Sequence, residues 1–132
     1  MLDDGDTLYR LAVLAEPAAA ISWLRRAAAK NHVRSEVALA IALEEGRGTA
    51  RDPAEAAQWY LKAAAAEDPE AHYRLGNLYD RGVGLAIDTV KARDHYARAA
   101  ALGHRAARER MARLLGENLT SPPAADSFKG LR

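Results

Sequence analysis

The sequence predicts an all-α fold, built as a short solenoid of stacked antiparallel helix pairs. Three observations support this prediction: a 36-residue internal repeat, abundant alanine, and a glycine turn in each regular repeat. A shift of 36 residues brings Gly46 onto Gly82, Tyr60 onto Tyr96, and three consecutive alanines onto three others. Alanine is the strongest helix former and allows helices to approach closely, so the composition agrees with the repeat.

The bulk composition excludes several functional classes. The 132 residues include 19 basic and 18 acidic side chains, and the net charge of +1 gives little attraction for nucleic acid or anionic membranes. The chain has no cysteine, which excludes disulfides and thiolate chemistry. No stretch reaches the roughly eighteen continuous apolar residues of a membrane span. We therefore expect a cytoplasmic protein that binds neither nucleic acid nor membrane, or a periplasmic one if a signal sequence has been removed.

The first helix pair is predicted to be atypical. It occupies residues 1–32, with its first helix near 6–15. Arg10 and Ala12 stand where the later units carry glycine, so a shortened turn at Glu16 is expected to join the two helices. An atypical end unit is normal in a solenoid, because it must cover an apolar face that no further repeat covers.

Two regular repeats follow, over residues 33–68 and 69–104. In the first of them, the apolar spacing predicts a helix near 35–45, which Gly46 ends in a left-handed conformation. Asp52 precedes a proline and is expected to cap the second helix of the pair. The same pattern recurs 36 residues later.

The last part of the sequence predicts a single helix and a tail. The terminal helix is expected within 105–116, and 117–132 is expected to be a flexible tail with two adjacent prolines. His32 and His104 each follow the end of a second helix. A cationic imidazole would suit the negative end of the helix dipole there.

The repeats resemble the Sel-one-like repeat (SLR) family, a branch of the tetratricopeptide-like helical repeats. The resemblance covers roughly residues 17–116, and the first regular repeat departs from the family pattern at Ala40 and Leu43. It implies a right-handed solenoid that binds other proteins, with bacterial roles in signalling, secretion, envelope processes or toxin neutralisation. The best copy of the family pattern consists of Ala71, Leu75-Gly76, Tyr79, Gly82, Gly84, Asp88, Ala92, Tyr96 and Ala99-Ala100.

No residue pattern indicates catalysis, a cofactor or a metal. The Gly-x-Gly pairs lack the preceding strand and the third glycine of a dinucleotide-binding loop. The four histidines are not spaced to bring three ligands together, and no serine lies in a Gly-x-Ser-x-Gly elbow. The arginines of the basic run 104–113 spread around their helix, which favours a solvated surface over a nucleic-acid site.

The candidate binding site is a stripe of residues on the first helices of the repeats. These helices tend to line the concave side of such solenoids. Helix spacing places the stripe apart from the residues that are expected to fill the core. An apolar centre with polar neighbours suits protein recognition, although the stripe could instead contact a neighbouring helix or the tail. The predicted partner-binding residues are Val37, Ile41, Glu44, Tyr73, Asn77, Asp80, Glu109 and Arg113.

The sequence thus favours a non-catalytic interaction module: an adaptor, scaffold or inhibitor of the immunity type that binds another protein or a peptide segment. Two alternatives remain at this point. A small hydrolase-like enzyme could use carboxylates in the groove, which would require a strongly perturbed carboxylate pair in a deep pocket. A purely structural homo-oligomer, such as a homodimer, could close the open ends of the solenoid on a second copy.

Overall fold

The computed structural model describes residues 4–116, which form seven α-helices and no strand. Consecutive helices pack against each other, which confirms the predicted all-helical arrangement of adjacent pairs. Residues 117–132, for which a flexible tail was predicted, lie outside the described residues. The helices are α1 (Gly5–Leu14), α2 (Pro17–Ala28), α3 (Val33–Glu45), α4 (Pro53–Ala65), α5 (Pro69–Arg81), α6 (Thr89–Ala101) and α7 (Arg105–Leu114).

The second helices of the regular repeats begin at aspartate caps. Asp52 accepts a hydrogen bond from the backbone N–H of Glu55, and Asp88 accepts one from that of Lys91, each at 3.0 Å. Each bond pairs an N–H group that the first turn of a helix otherwise leaves free. The predicted cap at Asp52 is confirmed, and Asp88 repeats it one unit later.

The glycine turns close each pair and also join neighbouring units. Gly46 ends α3 with a φ of 74°, as predicted. The second glycine of each turn lies against the preceding unit: a Cβ added to Gly48 would meet the carbonyl oxygen of Pro17 at 2.3 Å. A Cβ on Gly84 would meet that of Pro53 at the same distance. Each turn therefore packs on the first residue of the second helix in the unit before it.

The core runs along the stack and is built from leucine, alanine and tyrosine. Tyr60 and Tyr96 are 0% and 1% exposed, which confirms that they pack between the helices. None of the helices within residues 4–116 is both long and apolar enough to cross a membrane.

The two histidines that were expected to end helices begin them instead. His32 and His104 are the capping residues of α3 and α7. The Nδ1 atom of His104 accepts a 3.1 Å hydrogen bond from the backbone N–H of Ala107, and its Nε2 lies 2.7 Å from Glu70. The His104 ring thus serves the start of α7, and its predicted role at the end of the preceding helix is wrong, because the chain turns into the next helix one residue after Gly103.

Three residues in the left-handed region end the second helices. Asn31 and Gly103 have φ values of 61° and 93°, as expected from their tolerance of this conformation. Glu67 occupies the same place in the middle unit with a φ of 62°. Its carboxylate lies 3.1 Å from His72 and 3.3 Å from Arg98, which fixes this helix end from both sides.

Candidate functional site

The predicted partner-binding residues lie on α3, α5 and α7, and together we call them the first-helix stripe. Ile41 and Tyr73 are partly exposed and pack their inner edges against the core, while Arg113 is exposed. Val37 is only 9% exposed and belongs to the core. The prediction that Val37 offers an apolar contact surface is therefore wrong, because this part of α3 is covered by its neighbours.

Glu44 is held by two other helices. The hydroxyl of Tyr60 on α4 donates a 2.7 Å hydrogen bond to its carboxylate. The Arg74 guanidinium on α5 lies 3.6 Å from the same oxygen. Burial, together with the bond to Glu44, raises the pKa of the Tyr60 phenol, so its hydroxyl remains a donor. Glu44 is thus an anchor between repeats as well as a surface residue.

Asp80 occupies the same position one repeat later and is held in a related way. The Arg110 guanidinium on α7 lies 2.6 Å from its carboxylate and stands over the Tyr96 ring, 5.4 Å from the ring centroid. The Tyr96 hydroxyl donates a 2.6 Å hydrogen bond to Asn77 rather than to Asp80. Asn77 and Asp80, two polar members of the stripe, therefore already have partners within the protein.

An acid, a tyrosine and an arginine thus lie together where each of the two regular helix pairs contacts the next first helix. We call this set a junction triad: Glu44, Tyr60 and Arg74 in one, and the residues 36 positions later in the other. Sequence reasoning assigned the acids to partner binding and missed the triad. The signal was present, since the two arginines are 36 residues apart and face acids with the same spacing.

Tyr73 is the largest partly exposed ring of the stripe. It stacks on the His104 ring with centroids 4.5 Å apart, and its centroid lies 5.9 Å from that of Tyr96. His104 in turn bonds to Glu70, which also accepts a 2.7 Å hydrogen bond from Arg74. Partial burial acts to raise the pKa of Glu70, but these two bonds outweigh it and hold the pKa below its usual range. The ring of Tyr73 is therefore held by an ordered polar network.

The remaining stripe residues lie at the far end of the stack. Glu109 accepts a 3.3 Å hydrogen bond from Arg105, one turn earlier on α7. Arg113 follows one turn later and is exposed. Ile41 lies at the opposite end of the stripe, on the wall of a cleft of about 340 Å³ between α1, α2 and α3. None of the residues that line this cleft is acidic, so it offers no carboxylate pair of the kind that a hydrolase would need.

The histidines and carboxylates within the described part of the chain do not form a metal site. Within residues 4–116, no three or more histidine, cysteine, aspartate or glutamate side chains are grouped so that they could hold an ion. The nearest approach is the pair His72 and His95, whose Nδ1 atoms are 3.0 Å apart. These atoms face each other, as they would in a hydrogen bond, rather than a common centre.

The stacked helix pairs define an α-solenoid repeat protein. The Sel1 repeat family matches residues 6–32, 33–68 and 69–104, and the chain belongs to this family. Sel1 repeat proteins are generally protein-interaction modules. A search of curated proteins found no match.

Solved structures with the same fold include three bacterial proteins. A Sel1 repeat protein from Oxalobacter formigenes is 28% identical, with a TM-score of 0.78 over 83% of this chain and 48% of its own. A protective antigen of uropathogenic Escherichia coli with an SLR fold is 30% identical, with a TM-score of 0.73 over 80% and 24%. Cysteine-rich protein B of Helicobacter pylori is 26% identical, with a TM-score of 0.64 over 68% of each chain. The present chain thus spans about half of the first structure and a quarter of the second.

Proposed function

We propose that this protein is a non-catalytic adaptor, scaffold or inhibitor that binds a partner protein, or a peptide segment of one, on the first-helix stripe. The observation that carries the proposal is the partly exposed ring of Tyr73, held by stacking on His104. A rigid aromatic side chain offers a large contact area and loses little entropy on binding. Such rings dominate the binding energy of protein interfaces.

The polar network beneath the stripe supports this role by fixing the surface before a partner arrives. Glu44 and Asp80 are bound to neighbouring helices, so they hold the repeats in register. The groups left to contact a partner are Ile41, Tyr73 and Arg113, with Glu109 at the edge. A surface that is ordered in advance loses less free energy on binding.

The enzyme alternative finds no support in the electrostatics of the described carboxylates. Hydrogen bonds from Arg25 and Trp59 hold the pKa of Glu55 below its usual range, and the pKa of Glu70 is also lowered. A carboxyl that acts as a general acid near neutral pH requires the opposite shift. Both carboxylates instead bond to side chains outside their own helices, Glu55 to Arg25 and Glu70 to His104.

Variant-dependent capture tests the proposal. The wild-type chain and a Tyr73→Ala variant would each be used to capture proteins from the native source, and the captured protein would then be titrated. We expect Tyr73→Ala to weaken binding by about 2 kcal/mol, or about 30-fold, as truncation of a central ring does. Arg108→Ala, an exposed change on α7 outside the stripe, is the matched control. Equal affinity for wild type and Tyr73→Ala, with loss on another face, would contradict the proposal.

A structural homo-oligomer is the second candidate, because apolar side chains are exposed at both ends of the stack. Leu14 on α1 is 85% exposed, and Leu115 after α7 is 67% exposed. Light scattering on the full chain separates the two candidates. A monomer at tens of micromolar would favour partner binding, and a stable dimer disrupted by Leu14→Ser would favour the oligomer.

A further inference from the structure

The first junction of the solenoid differs from the two that follow it. The turn between α1 and α2 is five residues shorter than the glycine turn between α3 and α4, so α1 aligns with α3 at a shift of 31 residues. This alignment is supported by burial, since Leu8 and Leu39 are each 0% exposed at equivalent positions. In the same alignment, Ala12 is equivalent to Leu43, and Val13 is equivalent to Glu44.

Every member of the junction triad is replaced at the first junction. Val13 occupies the position of the acid, Leu24 that of the tyrosine, and Ala38 that of the arginine. At the next junction, the same three places hold a carboxylate, a buried phenol whose hydroxyl bonds to it, and a guanidinium 3.6 Å from it. The first junction therefore lacks, at one location, the aromatic ring, the carboxylate and the long arginine side chain that the next junction has.

The space left by these replacements is the cleft of about 340 Å³ between α1, α2 and α3. Its walls include Ala12, Leu24 and Ala38, so the cleft lies where the ring and the guanidinium lie in the later junctions. The volume falls at the lower end of the range for ligand pockets in proteins. Val13, at the rim, is 65% exposed and extends the apolar surface outward.

The residues that line the cleft carry charge of one sign only. Among the lining residues, Arg47 is the only charged side chain. It pairs with Glu45, two residues before it, in an exposed contact. Exposed pairs of this kind contribute little free energy, so the guanidinium can exchange Glu45 for an incoming carboxylate at small cost.

We propose that this cleft receives one large apolar side chain, phenylalanine or leucine, from a partner segment in which an acidic residue flanks it and pairs with Arg47. The inserted side chain takes the place that Tyr60 fills at the next junction. Ile41 belongs both to the cleft and to the first-helix stripe, so one segment can cover both. The inference rests on the proposed function. It specifies the chemistry of the partner segment that would bind at the end of the first-helix stripe.

The test uses the full-length ¹⁵N-labelled protein and three blocked pentapeptides. The probe is Ser-Asp-Phe-Asp-Ser; in one control peptide alanine replaces the phenylalanine, and in the other lysine replaces both aspartates. We expect the probe to shift the amide resonances of Ala12, Ala38 and Ile41 in a saturable way. The peptide without the ring should give no saturable shift, and the lysine peptide should bind at least threefold more weakly.

Variants of the protein locate the site. Ala12→Leu fills the cleft with the residue that Leu43 already provides at the equivalent position, so the fold should be retained. It should weaken probe binding at least tenfold, as should a second filling variant, Ala38→Leu. Arg47→Ala should remove the preference for aspartate over lysine, whereas Arg108→Ala should leave both affinities unchanged.

Several results would overturn the inference. It fails if millimolar probe gives no saturable shift, or if Ala12→Leu and Ala38→Leu bind the probe as wild type does. It also fails if Ala12→Leu abolishes self-association of the chain, or displaces the resonances of residues 117–132, because the occupant would then be a second copy or the tail. Saturable shifts around Tyr73 with none at the cleft would reject the cleft while leaving the proposed function intact.

Discussion

The Nδ1 atom of His72 on α5 lies 3.0 Å from the Nδ1 atom of His95 on α6. His72 is buried, and its Nε2 lies 3.1 Å from the Glu67 carboxylate. The ring of Tyr79 stacks on His95 with centroids 5.6 Å apart. Only one proton fits between the two Nδ1 atoms, so charging both rings would place two cations in contact inside a helix pair.

Acidification is therefore expected to destabilise the protein. Burial, followed by the effect of His72, holds the pKa of His95 below its ordinary value of 6.5; Lys91 and Arg98 act in the same direction, and Asp94 opposes them. Below pH 6.5 the unfolded chain then binds more protons at this site than the folded chain does. The contribution of neutral His95 is complete above that pH and is lost as the pH falls toward the folded-state value. Urea unfolding between pH 7.5 and 5 measures the change.

The control for this prediction removes the titrating group without removing the contact. His95→Gln retains a polar side chain of similar reach, so its free energy of unfolding should depend less on pH between 7.5 and 5. If the variant and the wild-type protein lost stability in parallel over that interval, His95 would not be the source of the pH dependence.

Tyr60 is expected to be a major contributor to stability. It is 0% exposed and its hydroxyl bonds to Glu44, so Tyr60→Ala should cost about 3 kcal/mol through loss of packing. Tyr60→Phe should cost about 1 kcal/mol, because it removes only the hydrogen bond. Gln58→Ala, an exposed change on the same helix, should stay within about 0.5 kcal/mol. Urea melts in which Tyr60→Ala resembled Gln58→Ala would contradict the core assignment.

Arg51 is exposed, but Arg51→Ala is unsuitable as a neutral surface control. The Nε atom of Arg51 donates a 2.9 Å hydrogen bond to the backbone carbonyl of Glu44, at the end of α3. Removing it takes away a partner from one of the last carbonyls of the helix, which have no partner within the helix. Gln58 is therefore the better control.

The packing of the turns predicts different costs for two glycine substitutions. Gly84 and Gly103 both have positive φ, so alanine is strained at either position by about 1 kcal/mol. A Cβ at Gly84 would also meet the Pro53 carbonyl oxygen at 2.3 Å, whereas nothing lies within 4 Å of one at Gly103. Gly84→Ala should therefore cost about 3 kcal/mol in all. Thermal or urea melts showing equal losses would mean that the turn does not pack on the preceding repeat as described.

Gly76 is expected to resist substitution for a different reason. It lies inside α5, where alanine would normally stabilise the helix by roughly 0.5–1 kcal/mol. A Cβ there would meet the Tyr96 ring at 2.5 Å, so Gly76→Ala should instead destabilise the protein by about 1–2 kcal/mol. In a Tyr96→Leu background, the same substitution should be neutral or stabilising. Additive effects in this double-mutant cycle would exclude the contact.

Much of the fold follows from local sequence. Asp52 caps a helix and Gly46 ends one because caps and left-handed turns depend on residues within a few positions of each other. The burial of Tyr60 and Tyr96 follows from the 36-residue register combined with helix spacing. These features do not depend on the contacts between particular side chains of distant helices. They could therefore be predicted from the sequence.

The candidate site was predicted less completely. The stripe lies on the first helices, but Val37 is in the core, and Glu44 and Asp80 are bound to residues on other helices. Which side chains are free depends on what the next repeat brings against them. Helix periodicity gives the direction of a side chain, but it does not give the neighbour that covers it.

By itself, the sequence determined the number of helices, their caps and turns, and the repeat that stacks them. Only the tertiary structure decided that His104 caps the start of α7, that acids and arginines join successive repeats, and that a cleft opens at the first junction. The physical reason is distance along the chain. Val13, Leu24 and Ala38 form the first junction from three different helices, and the loss of polar contacts becomes visible only when those helices are packed together.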